Sequence, residues 1–309
     1  MQRVRNQIEV PYLPEPDINK VYTGEGITVA VLDTGVGRHP DLVGRVYAFH
    51  DFVNDRQDMY DDSGHGTHVC GIICGSGSVS GGRFRGIAPR ANLVVGKVLD
   101  AKGNGCTEHM LQGLRWILKM RQQYHIRILN ISVGIGDMQS EEKERAIKNE
   151  LERVYDSGII VICAAGNKGP KSGSISSLGA SRRFITVGCH DGDYYKDYPG
   201  RCDSYSGRGD AMSTLRKPDI VAPGTNIVSC NVFYNRSRGR ILNAYVSKSG
   251  TSMATPIVSG VAALALEKNP CLTGEEFRKK LTAAATDLGE EWNKQGWGMI
   301  NVRRLLKSC

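Results

Sequence analysis

The sequence Gly250-Thr251-Ser252-Met253-Ala254-Thr255-Pro256 stands directly before a run of small apolar residues that extends from Ile257 to Leu266. Such a run predicts a buried helix, so Ser252 is expected at the N-terminus of that helix. Backbone N–H groups are unpaired at a helix N-terminus and the dipole is positive there, so negative charge on a bound group is stabilised. The pattern therefore makes Ser252 a candidate nucleophile.

A serine hydroxyl is a weak nucleophile at its ordinary pKa, so this hypothesis needs a base and an orienting acid elsewhere in the chain. Asp33 ends the apolar run 27–32 and precedes Thr34-Gly35, which is the pattern of a strand that stops at a tight turn. His65 lies between two glycines, where the backbone can approach closely and a helical pattern begins. The chain order Asp, His, Ser is one of three unrelated orders in which such triads occur.

Four blocks of the chain resemble the catalytic blocks of the subtilisin family, and of intracellular bacterial subtilisins in particular. They are VAVLDTG at 29–35, GHGTHVCG at 64–71, AAGN at 164–167 and GTSMATP at 250–256. The resemblance implies a serine endopeptidase that works through an acyl-enzyme. In that mechanism Ser252 attacks the scissile carbonyl, His65 carries the proton, and Asp33 orients the imidazole. The resemblance also implies that Asn167 donates its side-chain amide to the oxyanion.

The rest of the chain predicts an α/β fold. Apolar, β-branched runs at 27–32, 93–98, 128–133, 159–163 and 184–188 are typical of buried parallel strands. Helical patterns at 107–123 and 141–157 alternate with them, which favours a three-layer sandwich with a mostly parallel central sheet flanked by helices. The 309 residues offer no obvious linker, so we expect one catalytic domain over 1–309. Residues 1–20 are interpreted as an N-terminal extension or arm, without an evident prodomain.

The resemblance also implies where protein or peptide substrates bind. Members of the family hold a peptide as an added β-strand between two segments, which correspond here to 100–105 and 132–134. Glycines in these segments leave room for a peptide backbone, although ordinary turn glycines are the alternative interpretation. The predicted substrate-binding residues are Gly103, Gly105, Ser132, Val133, Gly134, Ala164, Ala165 and Gly166.

No cofactor is required for the chemistry that the resemblance implies, but a structural calcium ion is an open hypothesis. Asp41 stands where a calcium ligand of the family would. The adjoining loop 75–82 offers only serines, glycines and a valine, so backbone carbonyls would have to complete the site. Cys70 and Cys74 are spaced like metal ligands, but no other ligand pair accompanies them.

Charge and cysteine usage bear on partners and location. The net charge is +8, yet the basic residues are scattered and not interleaved with stacking aromatics, which argues against nucleic-acid binding. No run is long enough to span a membrane. The first 16 residues lack an apolar secretory segment. The chain has nine cysteines, an odd number, and Cys163 and Cys189 lie in apolar runs where buried free thiols are expected. These features predict a cytoplasmic protein, while a secreted mature form stays open.

Two other functions remain open at this point. One is a catalytically silent binding or regulatory protein that keeps the subtilisin fold. The intact set of Asp33, His65, Asn167 and Ser252 argues against it. The other is a maturation protease of narrow specificity that cuts one partner. The activity of a cytoplasmic protease must also be restrained. One hypothesis is that an inhibitor or regulatory partner does so.

Overall fold

The computed structural model describes residues 1–133, 140–195 and 198–309. In that part of the chain one parallel sheet of seven strands has the order β2-β3-β1-β4-β5-β6-β7. Its strands are β1 (Thr28–Asp33), β2 (Val46–Asp51), β3 (Asn92–Lys97), β4 (Ile126–Ile131), β5 (Ile160–Ala164), β6 (Ile185–Cys189) and β7 (Ile220–Ala222). Two short antiparallel pairs join β8 (Ile227–Cys230) to β11 (Tyr245–Lys248) and β9 (Asn235–Ser237) to β10 (Arg240–Leu242).

Helices cover both faces of the parallel sheet. They are α1 (Gln2–Gln7), α2 (His65–Cys74), α3 (Thr107–Tyr124), α4 (Glu141–Asp156), α5 (Thr251–Lys268), α6 (Gly274–Ala283), α7 (Trp292–Gln295) and α8 (Val302–Ser308). Side chains alternate across a strand, so Val29 and Val31 belong to the core under α2 and α5, whereas Ala30 and Leu32 pack with α3 and α4. The predicted three-layer α/β sandwich is confirmed.

The five predicted strands and both predicted helices are present within a few residues of their expected ends. Two outer strands were not predicted. Strand β2 is largely half-exposed and carries Tyr47 and His50 among its apolar residues, and β7 has only three residues. Strand β2 therefore lacks a continuous apolar run, and the apolar run of β7 is shorter than the run of about four to eight residues that marks a buried strand.

The first residues pack closely against the rest of the chain. Met1, Val4 and Ile8 are buried in the same core as α5 and α8. The buried Arg5 side chain donates to the carbonyl oxygens of Gly86 and Ile87 at 2.8 and 3.1 Å. This segment is therefore integrated into the fold, and the division of the chain into one domain with an arm over 1–20 stays a prediction.

Candidate active site

Asp33 and His65 are in direct contact at the carboxyl edge of the sheet. Asp33 is the last residue of β1 and is buried, and His65 is the first residue of α2. The His65 Nδ1 atom lies 2.7 Å from Asp33 Oδ1. A carboxylate only accepts hydrogen bonds, so Nδ1 carries the proton and the lone pair of neutral His65 is on Nε2. That is the tautomer a general base needs.

The charge of Asp33 also sets the basicity of His65. Burial lowers the pKa of His65, but the negative charge of Asp33 and its hydrogen bond raise it by more, so the net pKa is above the ordinary value of 6.5. Lys248 opposes this rise through its positive charge. The imidazole keeps 23% of its side-chain surface exposed, so it is accessible to a substrate.

Ser252 lies in the first turn of α5, as predicted. Gly250 precedes the helix with φ of 140°, a conformation that L side chains rarely adopt, and its N–H donates to Gly224 O at 3.0 Å. Helix α5 packs against α2, and each helix carries a residue of the predicted triad in its first turn. The side chain of Ser252 is half-buried, which suits a nucleophile that must reach a bound substrate.

Asn167 follows β5 and is tied to the start of α5. Its Oδ1 accepts from the backbone N–H and from the hydroxyl of Thr251, both at 3.1 Å. Because the carbonyl end of the amide is held by Thr251, the donor end, Nδ2, is turned away from that residue. A Cβ atom on Gly250 would lie 3.5 Å from Nδ2. The amide donor therefore lies at the helix N-terminus that carries Ser252.

A buried carboxylate that sequence reasoning missed fixes the segment before His65. Asp61 Oδ1 accepts from the backbone N–H groups of Ser63 and Gly64 at 3.1 and 2.8 Å, and Oδ2 accepts from the Thr67 hydroxyl at 2.6 Å. Oδ1 also accepts from the hydroxyl of Thr34, which follows the predicted triad acid. The Asp-x-Ser-Gly spacing is typical of an Asx turn and could have identified Asp61.

Lys97 is the second supporting residue that the sequence did not reveal. It ends β3, and its side chain is fully buried. Its Nζ donates to Thr34 O at 2.9 Å, to Leu99 O at 2.8 Å and to Asp62 Oδ1 at 2.7 Å. One buried cation thus connects the loop after Asp33 with the loop before His65.

The described residues of the predicted substrate-binding set lie at the carboxyl edge of the sheet, as Asp33 and His65 do. Gly103 adopts φ of 80° in an exposed turn, and Gly105 forms an isolated bridge with Leu99. Ser132 is buried just after β4, where its hydroxyl accepts from Asn130 Nδ2 at 2.8 Å, and Val133 is half-buried. Gly134 lies outside the described residues.

The three remaining predicted pocket residues continue from β5. Ala164 is its last residue, and its carbonyl accepts from the Ser176 hydroxyl at 2.9 Å. Ala165 is buried, and Gly166 adopts φ of 90° directly before Asn167. This turn sets the direction in which the chain leaves the strand, and so where the Asn167 amide lies.

Comparison with known proteins identifies the family of the chain. The sequence profile described as the subtilase family matches residues 24–298. The chain belongs to the subtilase family. The prediction of a subtilisin-like serine protease family is thus confirmed, and by family the chain is a subtilisin-type serine endopeptidase.

Relatives of this subtilase include named proteases. The chain is 41% identical to Serine protease AprX of Bacillus subtilis (strain 168) over 293 residues, which are 91% of this chain and 66% of that relative. It is 32% identical to Subtilisin DY of Bacillus licheniformis over 299 residues, 95% of this chain and 97% of the relative. The structure of Sphericase superposes with a TM-score of 0.79 at 28% identity and 97% coverage of both chains.

The donors around Asp41 do not fit a calcium ion. Its Oδ1 accepts from the Ser78 hydroxyl at 2.8 Å and from the Val79 N–H at 3.2 Å, and its Oδ2 accepts from the Tyr245 hydroxyl at 2.7 Å. Calcium requires oxygen lone pairs directed at the ion, whereas these groups direct hydrogens at the carboxylate. In this subtilase, hydrogen bonds from the chain take the place of the hypothesised cation at Asp41.

His39 and Cys230 lie near Asp41, and these three side chains could in principle hold a metal. Both ring nitrogens of His39 are engaged, however: Nδ1 accepts from Asp41 N at 3.1 Å, and Nε2 lies 2.8 Å from Ala244 O. Burial raises the pKa of Cys230 well above its ordinary value, so its thiol is neutral in the metal-free protein. The His39 and Asp41 side chains in this cluster therefore serve as hydrogen-bonding groups.

We expect a chelator to leave the melting temperature of this subtilase unchanged. A site saturated at 100 times its Kd would contribute about 2.7 kcal/mol, which corresponds to a shift of several degrees in a chain of this size. The measurement is thermal unfolding with EDTA, with added CaCl₂, and with both. A fall in melting temperature that calcium restores, and that Asp41→Asn abolishes, would contradict the assignment.

The cysteines depart from the sequence prediction at one point. The sequence predicts a buried free thiol at Cys189, but this residue is bonded to Cys202, with Cα atoms 5.8 Å apart. The remaining seven cysteines are free. Burial raises the pKa of Cys74 and of Cys163 to about 12, so these two thiols are unreactive.

His68 is a buried residue of α2 whose imidazole bonds to the backbone. Its Nε2 lies 3.0 Å from Ile227 O and 3.1 Å from Val246 O, and burial lowers its pKa to about 3.

Among the described residues, no helix has the length and apolar character needed to cross a membrane.

Proposed function

We propose that this subtilase hydrolyses peptide bonds as a serine endopeptidase with Ser252 as nucleophile, His65 as general base and Asp33 as its orienting carboxylate. The observation that carries the proposal is the 2.7 Å contact between His65 Nδ1 and Asp33 Oδ1. It leaves the Nε2 lone pair for the hydroxyl proton of a serine on the neighbouring helix. Protein and peptide chains are the proposed substrates.

His65 carries the proton in both halves of the proposed reaction. Ser252 Oγ forms a bond to the scissile carbonyl carbon while His65 Nε2 takes the hydroxyl proton. His65 then gives that proton to the amide nitrogen as the carbon–nitrogen bond breaks, which releases the amine and leaves the acyl-enzyme. In the second half, a water molecule forms a bond to the acyl carbon while His65 Nε2 takes its proton, and His65 returns that proton to Ser252 Oγ as the carbon–oxygen bond breaks, which releases the carboxylic acid. In both halves, negative charge develops on the carbonyl oxygen and must be stabilised.

We propose that Asn167 Nδ2 and the backbone N–H of Ser252 stabilise this oxyanion. Support comes from the Thr251 hydrogen bonds that fix the amide and from the position of both donors at the N-terminus of α5. Preorganised donors are effective because they need no reorientation as the charge develops. We propose that the substrate chain lies along residues 100–105 and 132–134. The side chain of the substrate residue directly before the scissile bond would lie near residues 164–166.

The proposal is tested by labelling the purified protein with a fluorophosphonate probe and locating the labelled residue by mass spectrometry. Labelling of Ser252, together with cleavage of a panel of fluorogenic peptides, is the expected result. Labelling without cleavage would indicate the narrow-specificity maturation protease. No labelling of folded protein would favour the silent binding protein and overturn the proposal.

Asn167→Ala is expected to lower kcat by about 10²–10³-fold with little change in KM, a size known from subtilisin itself. The cause is that the amide bonds more strongly to the oxyanion than to the ground-state carbonyl. Thr251→Val is a graded control, because it removes one of the two hydrogen bonds that hold the amide and should cost less. An Asn167→Ala enzyme whose loss lies entirely in KM would contradict the assigned role.

We also propose a cytoplasmic location, since seven cysteines are free and Cys106 and Cys271 are exposed thiols that an oxidising compartment would modify. The Cys189–Cys202 bond is the opposing observation. Fractionation of producing cells decides the matter, and protein found mainly outside the cytoplasm would refute this location.

A further inference from the structure

The leaving-group half of a bound substrate must pass beside His65, because the imidazole hands its proton to the departing amine. The segment 100–105, proposed for the other half, adjoins Leu99, which Lys97 links to Asp62. Gly64, the residue before His65, lies beside the chain that leads into β9. A Cβ atom on Gly64 would lie 3.1 Å from the Phe233 ring, which is 59% exposed.

The chain continues from Phe233 into an arginine-rich hairpin. This arginine hairpin consists of β9 and β10 and carries Arg236, Arg238 and Arg240, all exposed. Its turn is well defined, since Arg238 and Gly239 have φ of 47° and 75°. Its base is fastened by Asn231, whose N–H and Nδ2 donate to Ala244 O and Asn243 O, each at 2.8 Å.

A cleft of about 370 Å³ lies between the arginine hairpin and the segment 37–46. Apolar side chains line much of it, including Leu42, Val43 and Met59, while Arg38 and Arg236 contribute the charge. Val43 is among the most exposed large apolar residues of the described chain. The cleft therefore offers an apolar depression bordered by two guanidinium groups.

The positive charges of this face are not neutralised by the protein. Within the described residues, Arg38 and the three arginines of the hairpin form no ion pair. The neighbouring carboxylates already have partners within the chain. Asp61 is buried and accepts hydrogen bonds from the chain around it, and Asp62 pairs with Lys97 Nζ at 2.7 Å. Asp58, beside Met59 in sequence, is an exposed acid that offsets only part of this charge.

We propose that this face selects substrates with an acidic segment downstream of the scissile bond. Carboxylates would pair with the guanidinium groups of Arg38 and the arginine hairpin, with an apolar side chain in the cleft and Phe233 beside the first downstream residues. Arginine suits this role because its planar guanidinium donates two parallel hydrogen bonds to a carboxylate. The inference rests on the proposed endopeptidase function and specifies its substrate class.

Internally quenched peptides that share all residues before the scissile bond, and carry glutamates, glutamines or lysines after it, test the inference. We expect kcat/KM for the glutamate peptide to exceed that of the glutamine peptide about tenfold at low ionic strength. The preference should largely disappear in about 1 M NaCl, where the Debye length is about 3 Å. Equal rates for the three peptides at low salt would overturn the inference.

A charge-reversal variant, Arg236→Glu/Arg238→Glu/Arg240→Glu, should favour the lysine peptide. Its hydrolysis of a peptide p-nitroanilide, which has no downstream residues, should stay within about twofold of wild type. The matched control is Lys119→Glu/Lys143→Glu/Arg145→Glu on α3 and α4, which cover the other face of the sheet. It changes the net charge equally and should keep the glutamate preference.

The p-nitroanilide substrate separates the two proposals. If wild type hydrolyses it but shows no downstream acidic preference, this inference fails and the endopeptidase function stands. If wild type hydrolyses no substrate, the proposed function itself fails. Loss of preference in the control variant as well would assign the effect to net charge and not to the arginine hairpin, which would also overturn the inference.

Discussion

Ser252→Ala is expected to lower kcat for peptide hydrolysis by about 10⁶-fold, which is the size of the effect in subtilisin itself. The acyl-enzyme cannot form without the hydroxyl, so His65 has no serine proton to accept. A residual rate of about 10³–10⁴ over the uncatalysed reaction should remain, because the oxyanion donors and substrate binding are untouched. Initial rates with a fluorogenic peptide measure the loss, at enzyme concentrations high enough to detect this residual rate.

The same experiment should show that the residues act as a unit. His65→Ala combined with Ser252→Ala is expected to cost no more than either change alone, since each already removes the nucleophilic pathway. Ser247→Ala is the matched control, because Ser247 is an exposed serine of β11 and should leave the rate unchanged. A Ser252→Ala enzyme with activity within tenfold of wild type would show that another residue is the nucleophile.

The sequence predicted the parts of this site that are encoded locally. Ser252 precedes a continuous apolar run, and Asp33 ends one, so local pattern alone places each of them at the end of an element. The strands found from sequence have five or six residues and are buried along almost their whole length, whereas the buried β7 has only three residues. Strand β2, which is half-exposed, has no such run, and its membership of the sheet depends on pairing with β3.

The supporting residues could not be predicted, because their roles depend on contacts between distant segments. Lys97 closes a β-strand and would ordinarily be interpreted as a solvated end residue, yet it is fully buried. Its burial is tolerated because two carbonyls and the Asp62 carboxylate surround its Nζ. The Cys189–Cys202 bond is similar: 13 residues separate the two cysteines, and their approach follows from the path of the chain after β6.

The hydrogen-bond donors around Asp41 were equally hidden in the sequence. Ser78 and Val79 lie in the loop that the sequence did offer, but Tyr245 is more than 200 residues away and reaches Asp41 only through the pairing of β8 with β11. A motif shows which residue could bind an ion. Whether its oxygens are directed at an ion or at hydrogen-bond donors depends on the complete fold.

Asp33→Asn is expected to lower kcat by about 10⁴-fold while the fold is kept. An asparagine of nearly the same shape can fill the buried position at the end of β1. Its amide can donate to Nδ1, which favours the tautomer with the proton on Nε2, and that tautomer cannot accept the hydroxyl proton of Ser252. The neutral side chain also no longer stabilises the imidazolium that forms during the reaction.

The pH dependence of Asp33→Asn distinguishes this role from a merely structural one. His65 must be neutral to act as base, so the acid limb of kcat/KM reports its pKa in the free enzyme. Burial lowers the pKa of His65, and the charge and hydrogen bond of Asp33 raise it above 6.5 on balance. With asparagine at 33, burial and the Lys248 charge remain without that opposition, so the pKa should fall.

We therefore expect the acid limb of the kcat/KM profile to lie at lower pH in Asp33→Asn than in wild type. The absolute rate of the variant should also be much lower. Profiles of kcat/KM between about pH 4 and 9, a range that spans the ordinary titration of histidine, measure both effects in one experiment. Asp58→Asn, which removes an exposed carboxylate, is the control that should leave the limb in place. A limb that stays fixed or moves to higher pH in Asp33→Asn would mean that Asp33 does not raise the pKa of His65, and the assigned partnership would fall.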